Sequence, residues 1–211
     1  VKFTGTGERA SFSHGLSQAP DFMICKRNSS GADWGIYHRS AGKNKVLYFT
    51  TAAATTSTTA WNNNHPTDSL VFLNDNGTTN GTDSMFYYIW HDVPGLQKFG
   101  SFVANANADG PYVELGFRPA LVVAKKSSGT GTWFVIDSER DSTNPTKKFL
   151  EWNDADAEAS SQERYDFLSN GFKVKAPSGY TPNETSGDTY IYAAWAEAPT
   201  VDLFGGGANA R

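Results

Sequence analysis

The 211-residue chain has a single cysteine, Cys25, so it closes no disulfide of its own. A scaffold held by cystine staples is excluded, and the fold must rest on a buried apolar core. Cys25 ends the apolar run Phe22-Met23-Ile24-Cys25, where a thiol packs as a small hydrophobic group in a strand. No apolar stretch approaches the roughly 18 residues that a membrane-crossing helix needs, so no membrane insertion is expected. Positive charge is also short: 18 Lys and Arg against 22 Asp and Glu leave a net charge of −4. The pairs Lys26-Arg27, Lys125-Lys126 and Lys147-Lys148 are too short and scattered to form a basic stripe, so nucleic acid is not an expected partner. No secretory leader is read, and a start at Val1 rather than Met is expected of a fragment or a processed product.

Signatures of catalysis and metal binding are missing too. His14, His38, His65 and His91 lack ligand spacing with one another, with Cys25 or with a carboxylate pair. There is no nucleophile elbow, Walker loop or Rossmann fingerprint. The glycines at 205–207 lie in the C-terminal tail and do not follow a strand, as a phosphate loop must. Glu114, Asp137, Glu139 and Glu197 supply carboxylates, but nothing places two of them across a cleft as glycoside hydrolysis demands. The chain is therefore expected not to be an enzyme and to need no cofactor. Calcium is a side hypothesis: Asp137, Glu139, Asp141 and Asn144 offer oxygens of the right type. EF-hand spacing is absent there, and Arg140 sits between the carboxylates, so a solvated turn with an Arg–carboxylate pair is the expected state.

Aromatics reach 14%, with 20 glycines, and Thr, Ser and Asn crowd the segments between apolar runs; this mixture favours strands and turns over helices. The chain also repeats itself. With Pro20 set on Pro119, Lys26 falls on Lys125 and Trp34 on Trp133, an offset of 99. Upstream, "KFTG" from Lys2 faces "KFGS" from Lys98, and Gly15-Leu16 faces Gly116-Phe117. Near the ends, "DSMFYYIWHDVP" from Asp83 faces "DTYIYAAWAEAP" from Asp188 at an offset of 105. Prolines, glycines, tryptophans and aliphatic residues match, whereas polar residues mostly differ: His38 faces Asp137 and His91 faces Ala196. A duplicated catalytic site would keep its polar atoms in matching places; this repeat keeps a scaffold.

Strands are predicted over residues 22–26, 34–37, 46–50, 70–73, 85–90, 121–124, 133–136, 172–175 and 190–195, with glycine turns at 28–31 and 127–131. Residues 155–165 predict two or three helical turns, and the Thr-rich residues 50–60 a loop or an edge segment. The expected fold is all-β: two tandem repeats of about 100 residues in antiparallel β-sandwich, jelly-roll or lectin-like architecture. The repeats are placed at residues 1–95 and 96–200, followed by a Gly-rich tail at 201–211. Whether they share one core stays open.

Three polar loops carry aromatic or amide groups suited to recognition. The first holds Trp61 beside Asn62, Asn63 and Asn64; the second holds Asn74, Asp75 and Asn76; the third sets Tyr180 near Asn183. An aromatic face suits the C–H side of a sugar, and amides suit its hydroxyls. Backbone demands of Asn- and Gly-rich turns account for the same composition.

One stretch is more specific. "GLQKFGSFVANANADGPYVELGFRPALVVAKKSSGTGTWFVIDSERDSTNP", with "DFLSNGFK" from Asp166 and "TYIYAAWAEAP" from Thr189, resembles a duplicated domain of virion proteins from tailed bacteriophages, marine and cyanobacterial ones in particular. "GLSQAPDFMICKR", Trp34, Tyr37-His38 and "AWNNN" extend it over the first repeat. The sequence departs from the family pattern at Ala104, Ala106 and Ala108, where a glycine-richer form is usual, which puts the backbone of that one loop in question. The resemblance implies a virion structural protein and brings no catalytic residues. The expectation is a distal tail fibre or adhesin that attaches to the host surface. Its expected partners are other virion proteins, a bacterial surface glycan or protein receptor, and copies of itself, a trimer being favoured. The alternatives are a capsid decoration or head-fibre protein, and a carbohydrate-binding module of a secreted enzyme.

Overall fold

The structure is a computed structural model and describes residues 1–28 and 31–199. The turn residues Ser29 and Ser30, and the tail expected at 201–211, lie outside the described residues. The fold is all-β, with a single three-residue 3₁₀ turn at Arg39–Ala41 among the described residues. Two compact units divide the chain, Val1–Asp92 and a second beginning at Val93.

The first unit holds β1 (Lys2–Thr4), β2 (Ala10–Ser13), β3 (Phe22–Arg27), β4 (Gly35–His38), β5 (Lys45–Tyr48), β6 (Thr55–Thr56), β7 (Leu70–Leu73) and β8 (Ser84–Trp90). Its main sheet runs β1-β8-β3-β4-β5-β6, and β2 pairs with β7 as a second layer. Ring contacts join the layers: Phe12 of β2 lies 4.9 Å from both Phe3 of β1 and Tyr87 of β8. Met23, Cys25, Tyr37, Val46, Trp61, Val71, Leu73, Met85 and Tyr87 form the core between them. Burial of all four residues Phe22 to Cys25 agrees with an uninterrupted apolar run. Gly35 opens β4 because a Cβ there would stand 2.8 Å from Cys25 Sγ. Trp34, expected to begin that strand, lies outside it and is exposed, with the Lys26 ammonium 5.6 Å from its ring. Within the Thr-rich segment, only Thr55 and Thr56 pair, at the sheet's exposed edge.

The second unit holds β9 (Gln97–Val103), β10 (Tyr112–Glu114), β11 (Pro119–Lys126), β12 (Trp133–Asp137), β13 (Leu150–Glu151), β14 (Tyr165–Leu168), β15 (Gly171–Val174) and β16 (Thr189–Ala196). Its main sheet runs β13-β12-β11-β16-β9, faced by β10-β15-β14. Phe172 of β15 reaches across to Phe102 at 6.0 Å and to Tyr192 at 5.6 Å. The helix expected over 155–165 does not form. Ala159 instead bridges Phe149, and Tyr165 bridges Thr146 before entering β14, fully buried. Burial of the Tyr165 ring in a β core outweighs the helix propensity of Ala and Glu in that segment.

The main sheets of the two units correspond strand for strand: β1-β8-β3-β4-β5 against β9-β16-β11-β12-β13. Their registers agree as well. Phe22 pairs with Trp90 and Cys25 with Tyr87; Leu121 pairs with Trp195 and Ala124 with Tyr192. The ladders correct one match. Phe3 pairs with Met85 and Phe102 with Tyr190, so the counterpart of Phe3 is Phe102, not the Phe99 that the "KFTG" and "KFGS" alignment selects.

Candidate functional site

The asparagine loops of the first unit are built from the backbone outward. Trp61 closes the core rather than the surface: it is 1% exposed and its indole N–H donates to the Lys45 carbonyl at 2.8 Å. This corrects the expectation that its ring offers a sugar platform. Asn62 and Asn63 then take left-handed φ values of 49° and 52°, which asparagine tolerates better than most residues. Asn74 Nδ2 donates to Asn62 Oδ1 at 3.3 Å, which brings the two loops together. Asn76 Oδ1 accepts from the backbone N–H groups of Thr78 and Thr79, both at 3.1 Å, and caps the turn between them. Asn63, Asn64 and Asp75 remain exposed along this rim.

Asn183 is also corrected. It is fully buried, as is Asn80 of the first unit, and each clasps a loop of its own unit in the same way. Asn80 Oδ1 accepts from Thr6 N at 3.0 Å, while its Nδ2 donates to Thr6 Oγ1, Glu8 O and Asn74 O. Asn183 Oδ1 accepts from Asn105 N and Ala106 N at 3.0 Å, while its Nδ2 donates to Asn105 Oδ1, Asn107 O and Ala176 O. These amides satisfy backbone groups that β-pairing leaves over, and their N–H donors are spent on the fold. The sequence reading places Asn183 on a recognition loop and does not single out Asn80; the signal that could have found them is their similar place in the two halves. Within the clasped loops, Gly7 has φ 68° and Ala106 has φ 54°. The alanine-rich departure at 104–108 therefore keeps a left-handed backbone.

Tyr180 stands apart from the asparagine rim, in the second unit and 42% exposed. Against its ring lies Arg164, inside the segment 155–165 for which the sequence predicts a helix. The guanidinium carbon is 5.4 Å from the Tyr180 ring, 5.4 Å from Phe134 and 4.8 Å from Phe149. Burial pulls the Arg164 pKa down, and it raises that of the nearby Glu151 carboxyl. On the next stretch of the loop, Lys126 Nζ holds Asp188 at 2.6 Å and Glu184 at 3.3 Å. Hydrogen bonding to Asp188, and then to Glu184, raises the Lys126 pKa.

The calcium hypothesis fares poorly on geometry. Asp137 Oδ1 accepts from Glu139 N and Arg140 N, and its Oδ2 lies 2.6 Å from Arg140 Nε. Asp141 Oδ2 accepts from Lys147 N and Lys148 N, and Asn144 bonds both the N–H and the carbonyl of Phe167. Among the described residues no cluster of three His, Cys, Asp or Glu is placed to hold a metal. The histidines serve packing: His14 bridges Leu16 N and Thr67 O, His38 Nδ1 accepts from Ser40 N, and His65 Nδ1 meets the Tyr37 hydroxyl at 2.7 Å. Among the described residues no helix is long and apolar enough to cross a membrane.

Residues 1–199 match a family described as "Domain of unknown function (DUF7483)". No curated protein and no solved structure matches the chain.

Proposed function

The chain belongs to the DUF7483 family, and from that premise we propose that it is a structural protein of a tailed-phage virion, placed at the distal tail fibre and attaching the particle to the bacterial surface. The observation that carries this reading is the resemblance of its motifs to a duplicated virion domain, which runs from "GLSQAPDFMICKR" to "TYIYAAWAEAP". The matched strand orders, ladder registers and asparagine clasps support a duplication, in which each unit is one copy of a module. Rigid sheets that expose Asn63, Asn64, Asp75 and Tyr180 on loops suit adhesion, since a stiff scaffold presents variable contacts at small entropic cost. Attachment through several copies, a trimer in this reading, turns weak single sites into firm binding. The partner is a surface glycan or protein, other virion proteins hold the base, and no catalysis is involved.

Fluorescently labelled full chain mixed with host cells tests attachment. The expected result is saturable surface labelling that also slows adsorption of intact phage. Cells left unlabelled, with adsorption unchanged at saturating chain, would contradict the adhesin.

A further inference from the structure

We propose that Arg164 and Tyr180 form a binding site for a sugar that carries a single carboxylate. The inference deepens the adhesin reading by naming the chemistry of its ligand, and it rests on that reading for its biological role only.

Arg164 is 4% exposed, and its Nε and Nη1 are buried with no hydrogen-bond partner. Buried N–H donors of a charged group are almost always satisfied, because leaving them bare forfeits their hydration without return. Here three aromatic rings surround the cation, and rings accept no conventional hydrogen bond. A guanidinium has donors and no acceptor, so the missing partner is an acceptor. A planar carboxylate matches the planar guanidinium better than any neutral group does.

Charge accounting favours one negative charge over two. Glu151 lies near enough to influence Arg164, and Glu184 and Asp188 line the neighbouring loop with Lys126 already between them. A dianionic phosphate would face those three carboxylates with two charges, a monoanion with only one, so repulsion is smaller for the monoanion. The cover also suits a sugar. Tyr180 is the exposed member of the cage, and it follows Gly179, whose φ of 82° makes the turn. Its backbone is pinned by Tyr180 N donating to Pro177 O and by Asn183 N donating to Tyr180 O. The ring itself rests on Arg164 by a cation–π contact. It can therefore swing outward without unfolding the turn, uncover the guanidinium, and present its face to the C–H side of a sugar ring.

The test is an NMR titration of the ¹⁵N-labelled full chain, following the Arg164 Nε–H resonance. Sodium glucuronate is compared with glucose and with sodium chloride at matched ionic strength, in the native chain and in Tyr180→Ala. The expected result is a saturable shift with glucuronate alone, with affinity altered severalfold by Tyr180→Ala. No saturable shift, an equal shift with chloride, or an unchanged affinity in Tyr180→Ala would overturn the site. Arg164→Lys identifies the resonance, and the tyrosine variant keeps the test decisive if that variant fails to fold. Saturable glucuronate binding that does not compete with cell attachment would overturn this site's part in adhesion alone. Glucuronate binding by a chain that attaches to no cell would sink the adhesin reading alone.

Discussion

Asn80 and Asn183 are single residues on which whole loops depend. Each makes four or more hydrogen bonds from a fully buried amide. Replacing either by alanine strands several backbone groups, and each buried unsatisfied group costs about 1–3 kcal/mol. Asn80→Ala and Asn183→Ala are thus each expected to lose roughly 3 kcal/mol or more in urea unfolding. Ala106→Gly should go the other way, gaining about 1 kcal/mol, because the left-handed φ of 54° penalises a Cβ. The buried lysine sets a pH dependence. Burial pulls the Lys125 ammonium down to about 8, while the unfolded chain keeps that proton to about 10.4. Between those values the unfolded state holds more protons, so stability rises with pH, by at most about 1.4 kcal/mol per pH unit. Cys25 opposes it: burial raises its thiol to about 12, so above roughly pH 8.5 the unfolded chain sheds a proton first and stability falls. From pH 8 to 10, Cys25→Ala should grow more stable and Lys125→Met less stable, as read by urea midpoints.

Among the elements, the short second sheet of the second unit depends on close backbone approach. A Cβ on Gly171 would overlap the Val113 carbonyl across the β10–β15 ladder. Gly171→Ala is expected to open that edge, destabilise by more than 2 kcal/mol, and deprotect the amides of β10 in hydrogen exchange before those of β11. The strands that sequence patterning found are those whose apolar runs are continuous, such as Phe22–Arg27 and Thr189–Ala196. Short edge strands such as β10 and β13 carry only two or three residues each, too few to register a period. The helix predicted over 155–165 does not form because local propensity cannot see that Tyr165 fills a distant core. Tyr180 is legible in the sequence as a loop candidate, but Arg164 beneath it is not, since its burial depends on that core. Trp61 and Asn183 looked like recognition residues because Asn- and Gly-rich turns share their composition with binding loops; only burial separates the two uses.

The whole molecule consists of two all-β units whose main sheets match in strand order, and each unit exposes polar loops. The two units share strand order, ladder register and a buried amide. They differ in what faces solvent, with asparagines on one unit and a tyrosine over an arginine on the other. With Asp137, Asp141 and Asn144 committed to internal partners, chelation by EDTA is expected to leave the melting temperature and cell attachment unchanged. A fall in either would restore the calcium hypothesis. The most direct measurement of the central claim is gold-labelled antibody against this chain on intact virions under the electron microscope. The account predicts gold at the tail tip or fibres. Gold over the head would contradict it, assign the chain to capsid decoration, and leave the exposed loops without a host surface to meet.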